Sequence, residues 1–216
     1  MTSARVQPTL ATFNAIINCY ARGKNVSQAE RWFRRLQEAR LQADGVSYNC
    51  MIKACAKSRD VAGADRWLKA MSSEGRCEPD LQSYTELIRS RALRCDLAGV
   101  SQCLDRLSSA SLRPDVVTWT MAIDACAKAA ALARAPAAQE SASVDQHDSL
   151  HEQAYDSWQE RAAAVAEGFL RRMVEQSVAP NAATSAALER AVGALRHQAL
   201  LSEYKLGEPA GGGSET

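Results

Sequence analysis

The sequence lacks several features that would define a class of protein. No apolar run in its 216 residues approaches the roughly 18 residues that a transmembrane helix needs. The first 20 residues have no apolar stretch behind a basic start, so we expect no secretory signal, and no transit peptide is visible because repeat-like sequence begins almost at Met1. There is no nucleophile–base motif and no glycine-rich phosphate loop. The sequence therefore gives no indication of a membrane protein or of an enzyme.

Neither the net charge nor the cysteines point to a ligand. The 26 basic and 25 acidic side chains nearly cancel, so any interaction with nucleic acid must be argued from where the charges lie. None of the seven cysteines stands in a Cys-x-x-Cys pair, which leaves no zinc or redox motif. Their odd number and helical contexts, such as Ala54-Cys55-Ala56, indicate reduced thiols that pack as small apolar residues.

What the chain does contain is a repeat of about 35 residues. An aromatic residue that follows Thr or Ser and precedes Asn or Thr occurs four times, at intervals of 35, 36 and 35 residues. The four segments are Thr12-Phe13-Asn14, Ser47-Tyr48-Asn49, Ser83-Tyr84-Thr85 and Thr118-Trp119-Thr120. Isoleucine follows each aromatic residue at a spacing of four. A period of this size is typical of a stacked array of small units rather than of one globular core.

Each unit holds two amphipathic patterns with the spacing of an α-helix. The first carries the aromatic residue and an aliphatic pair such as Ile16-Ile17, and the second carries a bulky pair such as Trp32-Phe33. Polar breakers separate the two patterns, and a turn such as Glu78-Pro79-Asp80 closes the unit. Because a single helical hairpin cannot bury its apolar face alone, we expect the hairpins to stack on one another.

The repeat boundaries divide the chain into segments. Residues 1–9 read as the end of a preceding repeat or a lead, 182–206 as a capping helix or half repeat, and 207–216 as a disordered tail. The repeats themselves are 10–44, 45–80, 81–115 and 116–181. The fourth is longer because of an insert at about 132–162. We expect the insert to be a surface excursion, partly helical around Leu150 to Val165 and partly disordered near Pro136 to Ser149.

The repeated units resemble the P-type repeats of the pentatricopeptide repeat family. The segments VSYNCMIKACAKSRD and VVTWTMAIDACAKAA are close to the family pattern V-V-T-Y-N-T-L-I-D-x-x-x-K-x-G, and the match covers residues 10 to about 197 apart from the insert. The tetratricopeptide repeat has a similar period but a different signature. The resemblance implies an all-α, right-handed α-solenoid of stacked helix-turn-helix repeats, which is a TPR-like superhelix.

The resemblance also implies that the chain binds single-stranded RNA, one base per repeat. In this family the fifth and last residues of a unit specify the base. The implied pairs are Asn14 with Asp44, Asn49 with Asp80, Thr85 with Asp115 and Thr120 with Asn181. By the family's pairings they correspond to a target 5′-UUGA-3′. The residues that would flank the bases are Ala11, Val46, Gln82 and Val117, and the alternative is that these four simply begin the first helices.

The charges of the first helices are an independent reason to expect RNA. With their following breakers, these helices hold nine basic and four acidic residues, whereas the whole chain is nearly neutral. Arg22, Lys57 and Lys128 recur at one position of the repeat, and we predict that they form a basic stripe for RNA phosphates. Leu93 interrupts the stripe in the third unit. The alternative is a plain solvated helix face.

By resemblance, the biological role is organellar RNA processing, stability or translation, in the chloroplast or the mitochondrion. We expect no cofactor, no metal, no membrane contact and no small-molecule substrate. Four bases at the low end of about 1–3 kcal/mol each give roughly millimolar binding, so we expect a longer array or assistance from a partner, with other RNA-processing proteins as candidates.

Two alternative interpretations remain at this point, and two further candidate sites are set aside. The chain could be a protein–protein interaction scaffold of the helical-repeat type. It could be a subunit of an RNA nuclease, although no cluster of carboxylates supports this. His147 and His151 have a helical spacing that would suit a metal, but their surroundings favour a solvated polar loop. Trp32 and Trp67 are predicted to pack in the core rather than to stack on RNA.

Overall fold

The computed structural model describes residues 8–74, 77–134 and 148–206, and every regular element in these ranges is an α-helix. Side chains are described in the same ranges except for residues 133–134 and 148–158. The helices are α1 (Leu10–Arg22), α2 (Val26–Glu38), α3 (Gly45–Lys57), α4 (Val61–Ser73), α5 (Leu81–Ala92), α6 (Leu97–Ser109), α7 (Val116–Arg134), α8 (Asp148–Glu175), α9 (Ala182–Val192) and α10 (Ala194–Glu203). Among them, none is long and apolar enough to cross a bilayer.

The chain forms two compact units, residues 1–94 and 95–216. In the first unit, α3 packs against α1 on one side and α5 on the other, so the first helices of the repeats form one layer. Helix α2 packs against α1 and α3, and α4 packs against α3 and α5, which forms a second layer. The isoleucines of the repeat signature, Ile17, Ile52 and Ile88, are fully buried between them.

Aromatic side chains fill the space between the layers of the first unit. The ring of Phe33 lies 5.2 Å from that of Tyr48 and 4.8 Å from that of Trp67, in edge-to-face geometry. The ring of Trp32 lies 6.2 Å from that of Phe13. Trp32 and Trp67 therefore pack against other aromatic rings, but both are half-buried rather than in the core that the sequence predicts.

In the second unit, α7 packs against α6, α8 and α9, and α9 also contacts α8 and α10. Trp119 is fully buried, with its ring 6.4 Å from that of Phe169. The C-terminal segment, which the sequence describes as a capping helix or half repeat, contains two helices joined at Gly193. Gly193 has a φ of 84°, a conformation that glycine adopts without strain.

The insert of the fourth repeat adds to the two helices that flank it. Helix α7 has 19 residues and α8 has 28, against 12 or 13 for the helices of the first three repeats. The stretch from Leu150 to Val165, predicted to be partly helical, lies within α8. Helix α8 begins at Asp148, so Ser149 is helical. The stretch from Pro136 to Ser149, predicted to be partly disordered, therefore ends earlier than predicted. The rest of that stretch, His147, the side chain of His151 and the tail 207–216 lie outside the described residues.

Side-chain caps determine where the first helices begin. Asp44, Asp80, Asp115 and Asn181 each accept a hydrogen bond from the backbone N–H three residues later, at 2.8 to 2.9 Å. In α3 and α5 the cap is reciprocal, since the hydroxyl of Ser47 or Ser83 also accepts from the backbone N–H of the capping Asp. The last residue of each repeat is therefore fixed in place by the helix that follows it.

Candidate nucleic-acid interface

In the first repeat, the side chain of Asn14 is held from two sides. Its Nδ2 donates to Asp44 Oδ1 at 3.0 Å, and its Oδ1 accepts from the hydroxyl of Ser47 at 2.6 Å. Asn14 is 9% exposed, so most of its amide faces protein. Because α1 packs against α3, residues that are 30 and 33 positions apart in the sequence form one hydrogen-bonded group.

The second repeat contains the same group one step further along. Asn49 Nδ2 lies 3.3 and 3.2 Å from the two carboxylate oxygens of Asp80, and the hydroxyl of Ser83 donates to Asn49 Oδ1 at 2.6 Å. Asn49 is also buried, at 7% exposure. Within the first unit, the two predicted pairs thus come together in one geometry.

The chemistry of the partners determines which way each amide points. A carboxylate can only accept hydrogen bonds, so the Asn nitrogen must face the Asp, and the Asn oxygen then faces the serine hydroxyl. Each amide has two N–H groups and two oxygen lone pairs. One of each is used here, which leaves one donor and one acceptor for a ligand.

In the fourth repeat, Thr120 takes the place of the asparagine. Its hydroxyl donates to the carbonyl oxygen of Val116 at 2.7 Å and lies 2.7 Å from the hydroxyl of Thr184. Thr184 in turn hydrogen-bonds Asn181 Oδ1 at 2.9 Å. The single proton of the Thr120 hydroxyl goes either to the Val116 carbonyl or to the Thr184 hydroxyl. In both cases the protein uses it, so this hydroxyl can only accept from a ligand.

The residues of the third predicted pair belong to different units. The hydroxyl of Thr85, in the first unit, donates to the carbonyl oxygen of Leu81 at 2.7 Å. Asp115, in the second unit, accepts from the backbone N–H of Thr118 at 2.8 Å and from its hydroxyl at 2.7 Å. Thr85 resembles Thr120 in donating to the carbonyl four residues earlier.

The network around Asp44 also affects its titration. Burial alone would raise the pKa of Asp44, but hydrogen bonds from Ser47 and from the side chain of Asn14 outweigh it, so the pKa is lower than usual. The Ser47 hydroxyl lies 2.9 Å from Asp44 Oδ1 and 2.6 Å from Asn14 Oδ1, and its single proton can serve only one of them fully. Asp44 is therefore a carboxylate at neutral pH, as accepting from the Ser47 backbone and from Asn14 requires.

The predicted base-flanking residues all stand at the second position of a first helix and are all exposed: Ala11, Val46, Gln82 and Val117. Val46 is 56% exposed and Val117 is 55% exposed. An apolar side chain that leaves this much surface in water at the same position of two repeats is available to contact a base. Residues that only begin the first helices would lie at the same position, so this observation does not distinguish the two roles.

The predicted phosphate contacts are not equivalent to one another. Arg22 is exposed and Lys57 is half-buried, and neither forms an ion pair within the described parts of the chain. Lys128 differs, because its Nζ lies 2.6 Å from Asp124 Oδ2. Asp124 Oδ1 is also 3.1 Å from Nη2 of Arg190, on α9. The charge of Lys128 is therefore compensated by Asp124, whereas Arg22 and Lys57 have no such partner within the described residues. The basic stripe itself stays a prediction.

Sequence reasoning missed two groups of residues at this site. Ser47, Ser83 and Thr184 belong to the repeat signature, but only the packing of neighbouring first helices shows that they contact the base-specifying residues. The spacing of Asp124 and Lys128 is that of a helical ion pair, which was a usable signal. Nothing in the sequence pairs Asp124 with Arg190, 66 residues away.

The described residues offer little for redox or metal chemistry. They contain no group of three or more His, Cys, Asp or Glu side chains that could hold a metal ion. Burial raises the pKa of the thiols of Cys55 and Cys126 to about 12, which leaves them protonated and unreactive. The cysteines of the described residues are all free thiols.

Comparison with protein families identifies the repeat. The model of the PPR repeat family matches residues 8–57 and residues 43–92, which are two overlapping segments of the first unit. Residues 8–92 are therefore pentatricopeptide repeats. The resemblance predicted from the sequence is confirmed. No curated protein sequence matches the chain significantly.

Solved structures of pentatricopeptide repeat proteins share the fold. The chain is similar to the pentatricopeptide repeat protein PPR10 from maize, with 17% identity and a TM-score of 0.66 over 92% of this chain and 24% of that one. The same maize protein in complex with an 18-nt psaJ RNA element gives 16% identity and a TM-score of 0.65, covering 92% of this chain and 25% of that one. This chain thus spans about a quarter of the length of PPR10.

A second pentatricopeptide repeat structure matches along most of its own length. The PPR domain of Arabidopsis thaliana protein-only RNase P 1, in complex with tRNA, is 13% identical with a TM-score of 0.62, covering 90% of this chain and 86% of that one. At such identities the likeness establishes the fold. The fold class predicted from the sequence, an all-α solenoid of stacked helix-turn-helix repeats, is confirmed.

Proposed function

We propose that this chain binds single-stranded RNA with a preference for sequence, one base per repeat, and performs no catalysis itself. The observation that carries the proposal is the paired network in which Asp44 and Ser47 orient Asn14, and Asp80 and Ser83 orient Asn49. Helix capping alone accounts for the aspartates, but it does not require each of them to hold an asparagine of the preceding repeat. The PPR10 and RNase P 1 complexes with RNA support the same ligand class.

The polar groups that remain at each pair complement one base. Asn14 and Asn49 each offer one donor and one acceptor, which matches the N3–H and neighbouring carbonyl of uracil. Thr85 and Asp115 lie in different units, so their assignment to guanine rests on the family's pairings alone. Thr120 accepts, and Asn181 Nδ2, which forms no hydrogen bond within the described residues, can donate, which matches the amino group and N1 of adenine. The proposed target is 5′-UUGA-3′.

The remaining predicted residues would act without regard to sequence. Val46 and Val117, with Ala11 and Gln82 at the matching positions, would contact base faces. Arg22 and Lys57 would contact phosphates, because neither forms an ion pair in the part of the chain that the structure describes.

The proposed biological role is organellar, in the chloroplast or mitochondrion, where bound protein would block a nuclease or stop the RNA from folding on itself. Four bases give only weak binding, on the order of millimolar from stacking alone. We therefore infer that this chain acts within a longer array or together with other RNA-processing proteins.

The test is fluorescence anisotropy with a labelled oligonucleotide that contains UUGA, beside one of the same composition in scrambled order, each at two salt concentrations. The proposal predicts tighter binding of UUGA and weaker binding at higher salt for both. Equal binding of the two oligonucleotides would contradict the proposed assignment of bases to repeats. Absence of RNA binding together with a co-purifying protein would favour a protein-interaction scaffold instead.

A further inference from the structure

The exposed face of the fourth repeat carries one carboxylate shared by two cations. Asp124 lies 2.6 Å from Nζ of Lys128, one turn further along α7, and 3.1 Å from Nη2 of Arg190 on α9. The side chains of Lys128 and Arg190 are 48% and 60% exposed, and that of Asp124 is 25% exposed. A ligand in solution can therefore reach both cations, but each already has an anionic partner.

Among the described side chains, a carboxylate shared by two cations at this position occurs only in the fourth repeat, although Arg89 of the third repeat is also paired, with Glu86 at 3.2 Å. The ninth position of the repeat holds Asn18, Lys53 and Arg89 in the first three repeats and Asp124 in the fourth. In the first unit, Lys53 Nζ lies 3.5 Å from Asn18 Oδ1, which is neutral, and no carboxylate pairs with Lys53 among the described residues. Where the first unit has a lysine beside an amide, the second unit thus has an arginine beside a carboxylate.

We propose that the carboxylate of Asp124 occupies the place of an RNA phosphate, and thereby weakens the binding of any RNA at the fourth repeat. This inference rests on the proposed function, because it concerns the same RNA-binding face. It assigns to Asp124 a role in setting affinity, whereas Thr120 and Asn181 would set the base.

The physical argument is competition for the same two cations. Ion pairs between exposed side chains are weak, so a phosphate could displace the carboxylate from Lys128 or Arg190. The displaced carboxylate would still lie within a few ångströms of the phosphate, and the repulsion would offset much of the gain. Fewer counterions are then released at this repeat than at the first two.

Removing the charge of Asp124 should add about one effective phosphate contact. For single strands, each contact changes the slope of log K against log salt by about 0.7, which corresponds to about fivefold in affinity at 0.1 M salt. The change should be the same for every RNA sequence, because phosphates carry no base information.

The experiment compares Asp124→Asn with Asp105→Asn in the full chain. Asp105 is also paired with an arginine, Arg172, at 3.0 Å, but it lies on α6, which is a second helix. Both variants raise the net charge by one. Affinities for UUGA-containing and scrambled oligonucleotides are measured at several salt concentrations, and thermal melting checks that each variant is folded. Asp124→Ala serves as a second variant if Asp124→Asn melts early.

The expected result is tighter binding of both oligonucleotides by Asp124→Asn, by about fivefold with a steeper salt slope, and little change for Asp105→Asn. An unchanged affinity of a folded Asp124 variant overturns the inference while leaving RNA binding intact. An equal gain for both variants also overturns it, since net charge alone would then explain the effect. If the wild-type chain binds neither oligonucleotide, the proposed function fails, and this inference fails with it.

Discussion

Asn181 has two roles, since it caps α9 and is proposed to read a base. The substitution Asn181→Asp tests the second role while it preserves the first. Asn181 Oδ1 accepts from the backbone N–H of Thr184 at 2.8 Å, and aspartate caps a helix about as well as asparagine. The stability of α9 should therefore change little. What the substitution removes is the Nδ2 donor, which the proposed code places opposite N1 of adenine.

The expected effect is a change of preferred base at one position. The substitution Asn181→Asp leaves only acceptors beside the Thr120 hydroxyl, and acceptors match the N1–H and amino group of guanine. A hydrogen-bonded base contact is worth about 1–3 kcal/mol of discrimination, so the preference for UUGA over UUGG should fall by about fivefold or more and can invert.

The assay is competition anisotropy with UUGA and UUGG, reported as the ratio of the two affinities. The ratio cancels the general loss of affinity that an added negative charge causes. Asn25→Asp is the matched control, because Asn25 also caps a helix, α2, by accepting from the backbone N–H of Gln28 at 3.1 Å. An unchanged ratio in folded Asn181→Asp, or an equal change in Asn25→Asp, would refute the assignment of Asn181 to a base.

Three further predictions concern charge, acid and thiols. Replacing Lys57 with Gln should weaken the binding of all RNA sequences alike and flatten the salt slope by about 0.7; no change in slope would remove Lys57 from the interface. Because the pKa of Asp44 is lower in the folded protein, its stabilising effect is present above the unfolded value of 3.8 and is lost as pH falls through the folded pKa. The difference in melting temperature between wild type and Asp44→Asn should thus shrink from about pH 6 to about pH 3, and a constant difference would contradict this. In mass-spectrometric alkylation, exposed Cys19 should react well before buried Cys55 and Cys126, and uniform labelling of the folded chain would show that the packing is wrong.

The elements of the fold could be predicted because each is encoded locally. The aromatic residue and the isoleucine four positions later lie in the same helix, and the polar breakers follow at its end. Asp44 and Asp80 each mark the start of a helix without any long-range contact. The insert could not be placed as accurately. Its second part continues α8 as far as Asp148 without a break, and no capping signal inside the insert separates it from the repeat.

The sequence predicts only those residues of the site that are found by counting along one repeat. Asn14 and Asp44 follow from counting along a unit, but the part played by Ser47 depends on how α1 and α3 pack, across 33 residues. The neutralisation of Lys128 depends on Asp124, which Arg190 of another hairpin also contacts. Charges counted along a sequence cannot show which of them are already paired. Lys128 belongs to the predicted basic stripe but has Asp124 as a partner in the structure, and the stripe itself stays a prediction.

The side-chain amide signals of Asn14 and Asn49 in a ¹⁵N–¹H correlation spectrum report directly on whether single nucleotides meet these groups. Each amide keeps one N–H that the protein does not use, so addition of a UUGA oligonucleotide should shift both signals, and an oligonucleotide with AAGA in its place should shift them far less. Amide signals that stay fixed while the RNA binds elsewhere on the chain would contradict the account.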